Sequence, residues 1–176
     1  MNARQLLLRM AENNAWANET FFAACEGLPE EEYRATRVSF FPSIRATLEH
    51  NYWVDTYYLD ALVRGGRGRA MYGAPDPIFA TLADLASAQR RVDREVVTFV
   101  ASLKDDAALD EIVAVERREA DRPERIGDVL AHLFQHQIHH RGQAHAMLAG
   151  TRVKPPQLDE FFLAEDTKAR TEQKKS

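Results

Sequence analysis

The segment that most constrains the fold lies late in the chain, where residues 132–143 read HLFQHQIHHRGQ. No proline interrupts the chain between residues 125 and 150. Apolar residues such as Leu133 and Phe134 continue there at helical spacing, which predicts one long helix. Four of the six histidines of the chain lie in this segment, and they are His132, His136, His139 and His140.

Two of these histidines can share a metal ion. At about 100° per residue, His136 and His140 lie about 40° apart on one helical face. Paired imidazoles four residues apart are found in zinc-binding helices. Because two protein ligands are rarely enough to hold such an ion, the question is whether the chain supplies a third ligand.

Three further long helices are predicted before this one. They cover residues 2–26, the segment from the N-cap Ser43 to the Gly65-Gly66 break, and residues 79–103. The β-branched residues around 112–115 predict a short extended excursion or hairpin near 110–120. The segment LDEFFLAED predicts a short C-terminal helix. We therefore predict an all-α four-helix bundle, formed as one domain over residues 1–166 and followed by a polar, disordered tail over 167–176.

Composition limits the chemistry and the partners. The 176 residues include a single cysteine, Cys25, so cysteine-based metal sites and an internal disulfide framework are excluded. We found neither a secretory leader nor a run of about 20 apolar residues, so we expect a cytoplasmic protein without membrane contact. The formal charge of −4 gives no general reason to bind nucleic acid.

The candidate third ligand is His50, in the middle of the second helix. A histidine beside apolar residues is usually a core residue, but a histidine pair on a facing helix favours a ligand role for His50. His132 remains a rival ligand, because it lies about 40° from His136 on the same helical face. His139 lies about 60° to one side, and His145 points about 180° away from His136, which excludes it as a ligand.

Other side chains are candidates for the surroundings of the ion. Gln143, about 20° from the direction of His136, could support a ligand or hydrogen-bond across the bundle. Arg141 is expected either to hydrogen-bond at the site or to form a structural ion pair. Tyr57 lies near the face of His50, where it is either a substrate contact or a core residue. His132, if it is not a ligand, belongs to the same group.

Three imidazoles plus solvent form an open coordination shell, which is typical of catalytic metal sites. Imidazole suits zinc, nickel and other divalent metals, among which the sequence does not choose. Such an ion would activate a thiol or a water molecule for transfer or hydrolysis. In the alternative hypothesis, the protein is not catalytic and the ion only ties two helices together.

The sequence also resembles the DinB/YfiT family. The run HLFQHQIHHRGQAHAMLAG resembles the signature helix of that family, SIRATLEHNYWVD its second helix and PPQLDEFFLAED its closing segment. The resemblance implies a four-helix bundle with a divalent metal, zinc or nickel, on His50, His136 and His140. It also implies a homodimer and a low-molecular-weight thiol as reaction partner. One departure concerns the pocket wall, because relatives often carry Trp where Thr56 follows Asp55 here.

Overall fold

The structure, a computed structural model, describes residues 1–158 and shows four long helices joined by short elements. The helices in chain order are α1 (Ala3–Cys25), α2 (Glu30–Arg34), α3 (Ile44–Leu62), α4 (Gly68–Met71), α5 (Leu82–Ser102) and α6 (Ile126–Ala149). A 3-10 turn (Asp106–Asp110) and two antiparallel strands, β1 (Ile112–Val115) and β2 (Arg122–Arg125), lie between α5 and α6. The predicted all-α bundle with an extended excursion near 110–120 is confirmed.

Three details of the prediction need comment. The segments that follow the first and second of the predicted long helices contain the short helices α2 and α4. The predicted C-terminal helix and the tail over 167–176 lie, beyond Leu158, outside the described residues. The single-domain boundary at residue 166 therefore stays a prediction.

Polar side chains set where the long helices begin. Asn2 and Gln5 form a reciprocal capping box at the start of α1. The Ser43 side chain accepts a hydrogen bond from the Ala46 backbone N–H at 3.1 Å, which confirms the predicted cap of α3. Thr81 caps α5 in the same way, so this helix begins at Leu82 and not at residue 79.

The interior of the bundle consists of two apolar clusters separated by a polar layer. One cluster includes Leu62, Val100, Leu130, Leu133 and Phe134, and the other includes Phe21, Ile44, Leu85, Met147 and Leu148. Between them along the helices lie buried polar side chains, namely Asn14, Asn18, Asn51, Asp55, Gln89, Asp93, Gln137 and Arg141. Because each buried polar group needs a partner, this layer fixes how α6 sits against the other three long helices.

None of the helices in residues 1–158 combines the length and the apolar character needed to cross a membrane. The two-stranded hairpin covers one end of the bundle, where Val113 and Val115 are almost fully buried. The hairpin also brings the Glu116 carbonyl to the Tyr57 hydroxyl, which donates to it at 2.6 Å.

Candidate metal centre

Three histidines from two helices meet on one side of the bundle. His50 projects from α3, and His136 and His140 project from successive turns of α6. Each offers one ring nitrogen, and these three atoms all lie within 4.8 Å of one another. The Nε2 atoms of His50 and His136 are 3.2 Å apart. Within residues 1–158, this is the set of side chains that could hold a metal ion.

Oxygen acceptors orient two of the three rings. The Asp76 carboxylate lies 3.0 Å from His50 Nδ1, and the Gln143 side-chain oxygen lies 2.8 Å from His140 Nδ1. Since each oxygen accepts a hydrogen bond, each Nδ1 carries a proton, and Nε2 is the ring nitrogen left to bind a metal. Both rings are therefore held in the tautomer that can bind a metal through Nε2.

His136 differs from the other two histidines in its hydrogen bonding. Its Nδ1 atom is buried and has no hydrogen-bond partner among the described residues. Burial, assisted by neighbouring His140 and His50, lowers the pKa of His136 to about 3. Burial also lowers the pKa of His140. Both rings are therefore neutral near pH 7, which is the form that coordinates metals.

The donor set fits a divalent ion. Three imidazoles bring one ring nitrogen each to a common point, and imidazole nitrogen is a common ligand of divalent transition metals. Nitrogen donors of this kind match zinc and nickel better than magnesium or calcium, which prefer oxygen. Three protein ligands leave room for solvent or a substrate atom on a four-coordinate ion.

The segment before α3 covers one side of the cluster. The Phe41 ring lies 4.2 Å from His50 and 5.3 Å from His140 between ring centroids. Phe40, which is 77% exposed, lies 6.0 Å from His140. Sequence analysis did not identify either phenylalanine, because they lie in a connector without periodicity.

A cavity of about 300 Å³ opens onto His50 and His136. Its walls are largely aromatic and include Trp53, Tyr57, Tyr58, Tyr72 and His132. Burial raises the pKa of Tyr57 to about 12, so this phenol stays neutral. Another cavity, of about 440 Å³, lies beside the hairpin, but its lining includes none of the three histidines. The smaller cavity is therefore the one placed to receive a ligand of the metal centre.

The remaining predicted site residues divide into two groups. His132 packs against Tyr58 and His136 at centroid distances of 5.0 and 6.1 Å, so it lines the cavity beside the cluster. Tyr57 and Gln143 also lie at the site, through the cavity wall and through His140 respectively. Arg141 points elsewhere: its guanidinium donates to Asn14 and Asn18 at 2.7 and 2.8 Å in the polar layer.

The two histidines that the sequence placed off the ligand face make other contacts. His139 accepts a hydrogen bond from the Gln143 amide at 3.1 Å, and His145 donates to the Pro156 carbonyl at 2.9 Å. Asp76, by contrast, was not identified from the sequence although it contacts His50 directly. Its Pro-Asp-Pro setting marks a stiff loop, but nothing local indicates which helix that loop reaches.

Fold and site together define a four-helix-bundle protein with a three-histidine candidate metal centre. The family model of the DinB family matches residues 1–175, and the chain belongs to this family. It is also similar to Protein DinB of Bacillus subtilis (strain 168), with 24% identity over 150 residues that cover 80% of this chain and 83% of that protein. The resemblance found in the sequence is thereby confirmed.

Proposed function

We propose that this protein is a metal-dependent enzyme in which His50, His136 and His140 hold one divalent ion, zinc or nickel. When bound, the ion supplies Lewis-acid activation, which lowers the pKa of a coordinated thiol or water molecule. The proposed reaction is thiol S-transfer or hydrolysis. The observation that carries the proposal is that the ring nitrogens of these three histidines, which come from two helices, all lie within 4.8 Å of one another.

The surroundings of the site support a reactive centre. The adjoining cavity, at about 300 Å³, is at the small end of the range for ligand sites, which suits a small molecule such as a low-molecular-weight thiol. The aromatic side chains of its wall would pack against the apolar part of that molecule. Phe41 limits the access of water on another side of the histidines. These residues would orient the substrate and limit the number of water molecules around the ion.

In the alternative, the ion is purely structural and joins α3 to α6. These helices already share buried hydrogen bonds, since the Asn51 amide donates to Gln137 at 3.1 Å and the Gln137 amide donates to Asp55. Apolar packing of Tyr57, Leu62 and Leu133 joins the same two helices to the core. Since the helices do not depend on an ion for their contact, this arrangement favours the reactive role.

Metal content tests the proposal. We expect purified protein to carry close to one divalent ion per chain by mass spectrometry. The double variant His136→Ala/His140→Ala should lose this ion because only one ligand remains. The matched control is His139→Ala/His145→Ala, which removes two histidines of the same helix that lie outside the cluster. Equal metal content in wild type and both double variants would contradict the assignment.

Cobalt substitution separates the reactive role from the structural one. If the fourth position is open, adding a small thiol to the Co(II) protein should produce a thiolate-to-cobalt charge-transfer absorption band. A bound ion that never shows this band with any thiol would argue against thiol chemistry.

The homodimeric state and the cytoplasmic location belong to this proposal as expectations, and light scattering checks the first of them.

A further inference from the structure

Asp76 reaches the metal centre from a loop far from both histidine helices in sequence. Its Oδ2 atom lies 3.0 Å from His50 Nδ1, on the side of the ring opposite the nitrogen that faces His136. The carboxylate is 42% exposed and the His50 side chain 22% exposed. An exposed pair of this kind adds little stability by itself, so its position behind a ligand needs another explanation.

The loop that carries Asp76 is attached to α3 on both sides of this residue. On one side, the Trp53 indole N–H donates to the Pro75 carbonyl at 3.3 Å. On the other side, the Phe79 backbone N–H donates to Glu49 at 2.9 Å, and the Phe79 carbonyl accepts from Arg45. The α3 partners therefore lie within two turns of His50 along the helix.

The local sequence adds stiffness to this attachment. Asp76 stands between Pro75 and Pro77, whose rings fix their own φ angles. A residue that precedes proline is also restricted to extended conformations, so Asp76 has few alternatives to its present backbone geometry. A rigid backbone with anchors on both sides holds the carboxylate in place without requiring its burial.

We infer that Asp76 is a positioning residue, which holds His50 as the Nδ1-protonated tautomer and directs its Nε2 to the ion. This inference rests on the proposed metal-binding function and identifies the residue that makes the α3 ligand competent. Gln143 has the corresponding place behind His140, but as a neutral acceptor. The carboxylate is the stronger of the two because a charged acceptor binds an N–H more tightly. Loss of such a partner typically weakens metal binding by about 10- to 100-fold.

Competition titration with a zinc chelator tests the inference in the purified full chain. Asp76→Ala should bind zinc about 10- to 100-fold more weakly than wild type, and Asp76→Glu should recover part of the loss. The matched control is Asp121→Ala. Asp121 is also a loop carboxylate, 45% exposed and paired with Arg69, so its loss should leave zinc affinity unchanged.

The tautomer of His50 gives a second measurement that a merely structural role would not change. In metal-free protein, ¹⁵N NMR should show His50 protonated on Nδ1 in wild type and a mixture of tautomers in Asp76→Ala. The His50 signals are assigned with His50→Ala. Wild-type zinc affinity in Asp76→Ala would overturn the inference. So would weaker binding without a change of tautomer, because it would mean that the loop acts only through folding.

Failure of the proposed function and failure of the proposed role of Asp76 would give different experimental results. If wild-type protein bound no divalent ion, the proposed function would fail, while the tautomer of His50 would still decide whether Asp76 orients the ring. If wild type bound the ion and Asp76→Ala bound it equally well, the proposed function would stand and only the role of Asp76 would be rejected.

Discussion

At the scale of single residues, the most unusual environment is that of Asp55 in the polar layer. This side chain is 1% exposed, and its Oδ2 atom accepts hydrogen bonds from the Gln89 and Gln137 amides. Its Oδ1 atom has no hydrogen-bond partner among the described residues. Burial, together with the nearby charge of Asp93, raises the pKa of Asp55 to about 8. Asp55 is therefore largely protonated at neutral pH in the folded protein.

The raised pKa of Asp55 predicts that the stability of the folded protein depends on pH. The folded state binds the Asp55 proton more tightly than the unfolded state, so the free energy of unfolding should fall as pH rises from about 4 to about 8. The contribution of one proton is at most about 1.4 kcal/mol per pH unit. Asp55→Asn keeps an oxygen acceptor and cannot titrate, so its stability should fall less steeply with pH.

Urea unfolding of both proteins at several pH values, with chelator present, measures this difference. Subtracting the two curves removes the contribution of the histidines and the other acids, which are common to both proteins. Parallel curves would mean that Asp55 is ionised throughout this range. The same experiment on Asp93→Asn is informative, because burial also raises the pKa of Asp93, to about 6.

At the scale of the elements, α6 carries two candidate ligands and also a glycine in its middle. A common interpretation of such a glycine, Gly142, is that it permits a close approach of helices. In the structure, a Cβ atom built at Gly142 meets no described atom within 4 Å, so the described residues do not support this interpretation. Gly65, after the end of α3, is different, since a Cβ there would lie 2.1 Å from a carboxylate oxygen of buried Asp60.

Substituting alanine at the two glycines should change the free energy of unfolding in opposite directions. Gly142→Ala should raise the free energy of unfolding by about 0.5–1 kcal/mol, because alanine loses less backbone entropy in a helix than glycine. Gly65→Ala should lower it, since Asp60 would have to leave its hydrogen bonds to the Arg67 backbone and side chain. Thermal and urea unfolding measure both effects. A destabilised Gly142→Ala variant would show that this face of α6 does contact another segment or chain.

At the scale of the whole molecule, the candidate metal centre combines side chains of two helices that are far apart in sequence. His50 and His136 are separated by 86 positions, so an ion held by both stabilises only the folded state. At a free zinc concentration 100 times the dissociation constant, this linkage adds about 2.7 kcal/mol.

Removing the ion should therefore lower the melting temperature of the wild type. Adding a chelator to His136→Ala/His140→Ala should cause little further change, because this variant has no site to empty. Differential scanning calorimetry with and without chelator measures both responses. The folded bundle should persist without metal, because its long helices share two apolar clusters and the polar layer. Complete unfolding on chelation would favour the structural role of the ion.

Much of the fold and part of the site could be predicted from the sequence because they depend on local periodicity. The spacing of His136 and His140 places both on one face of a helix wherever that helix packs. Ser43 marks the start of α3 because an N-cap acts on backbone N–H groups only three positions away. The sequence also predicted His50 as the candidate third ligand, with help from the resemblance to the DinB family, and the structure places it beside His136 and His140.

Contacts between separate elements were decided only by the tertiary structure. Asp76 is 26 positions from His50, and Arg141 reaches Asn14 over 127 positions. Helical periodicity indicates which face a residue occupies, but not which loop or helix covers that face. For this reason Arg141 was a candidate for the metal site although it lies in the polar layer, while Phe41 and Asp76 were not identified. The sequence by itself determined that the candidate ligands His136 and His140 share one face of α6. Chain packing determined what surrounds that pair, because packing depends on the core as a whole.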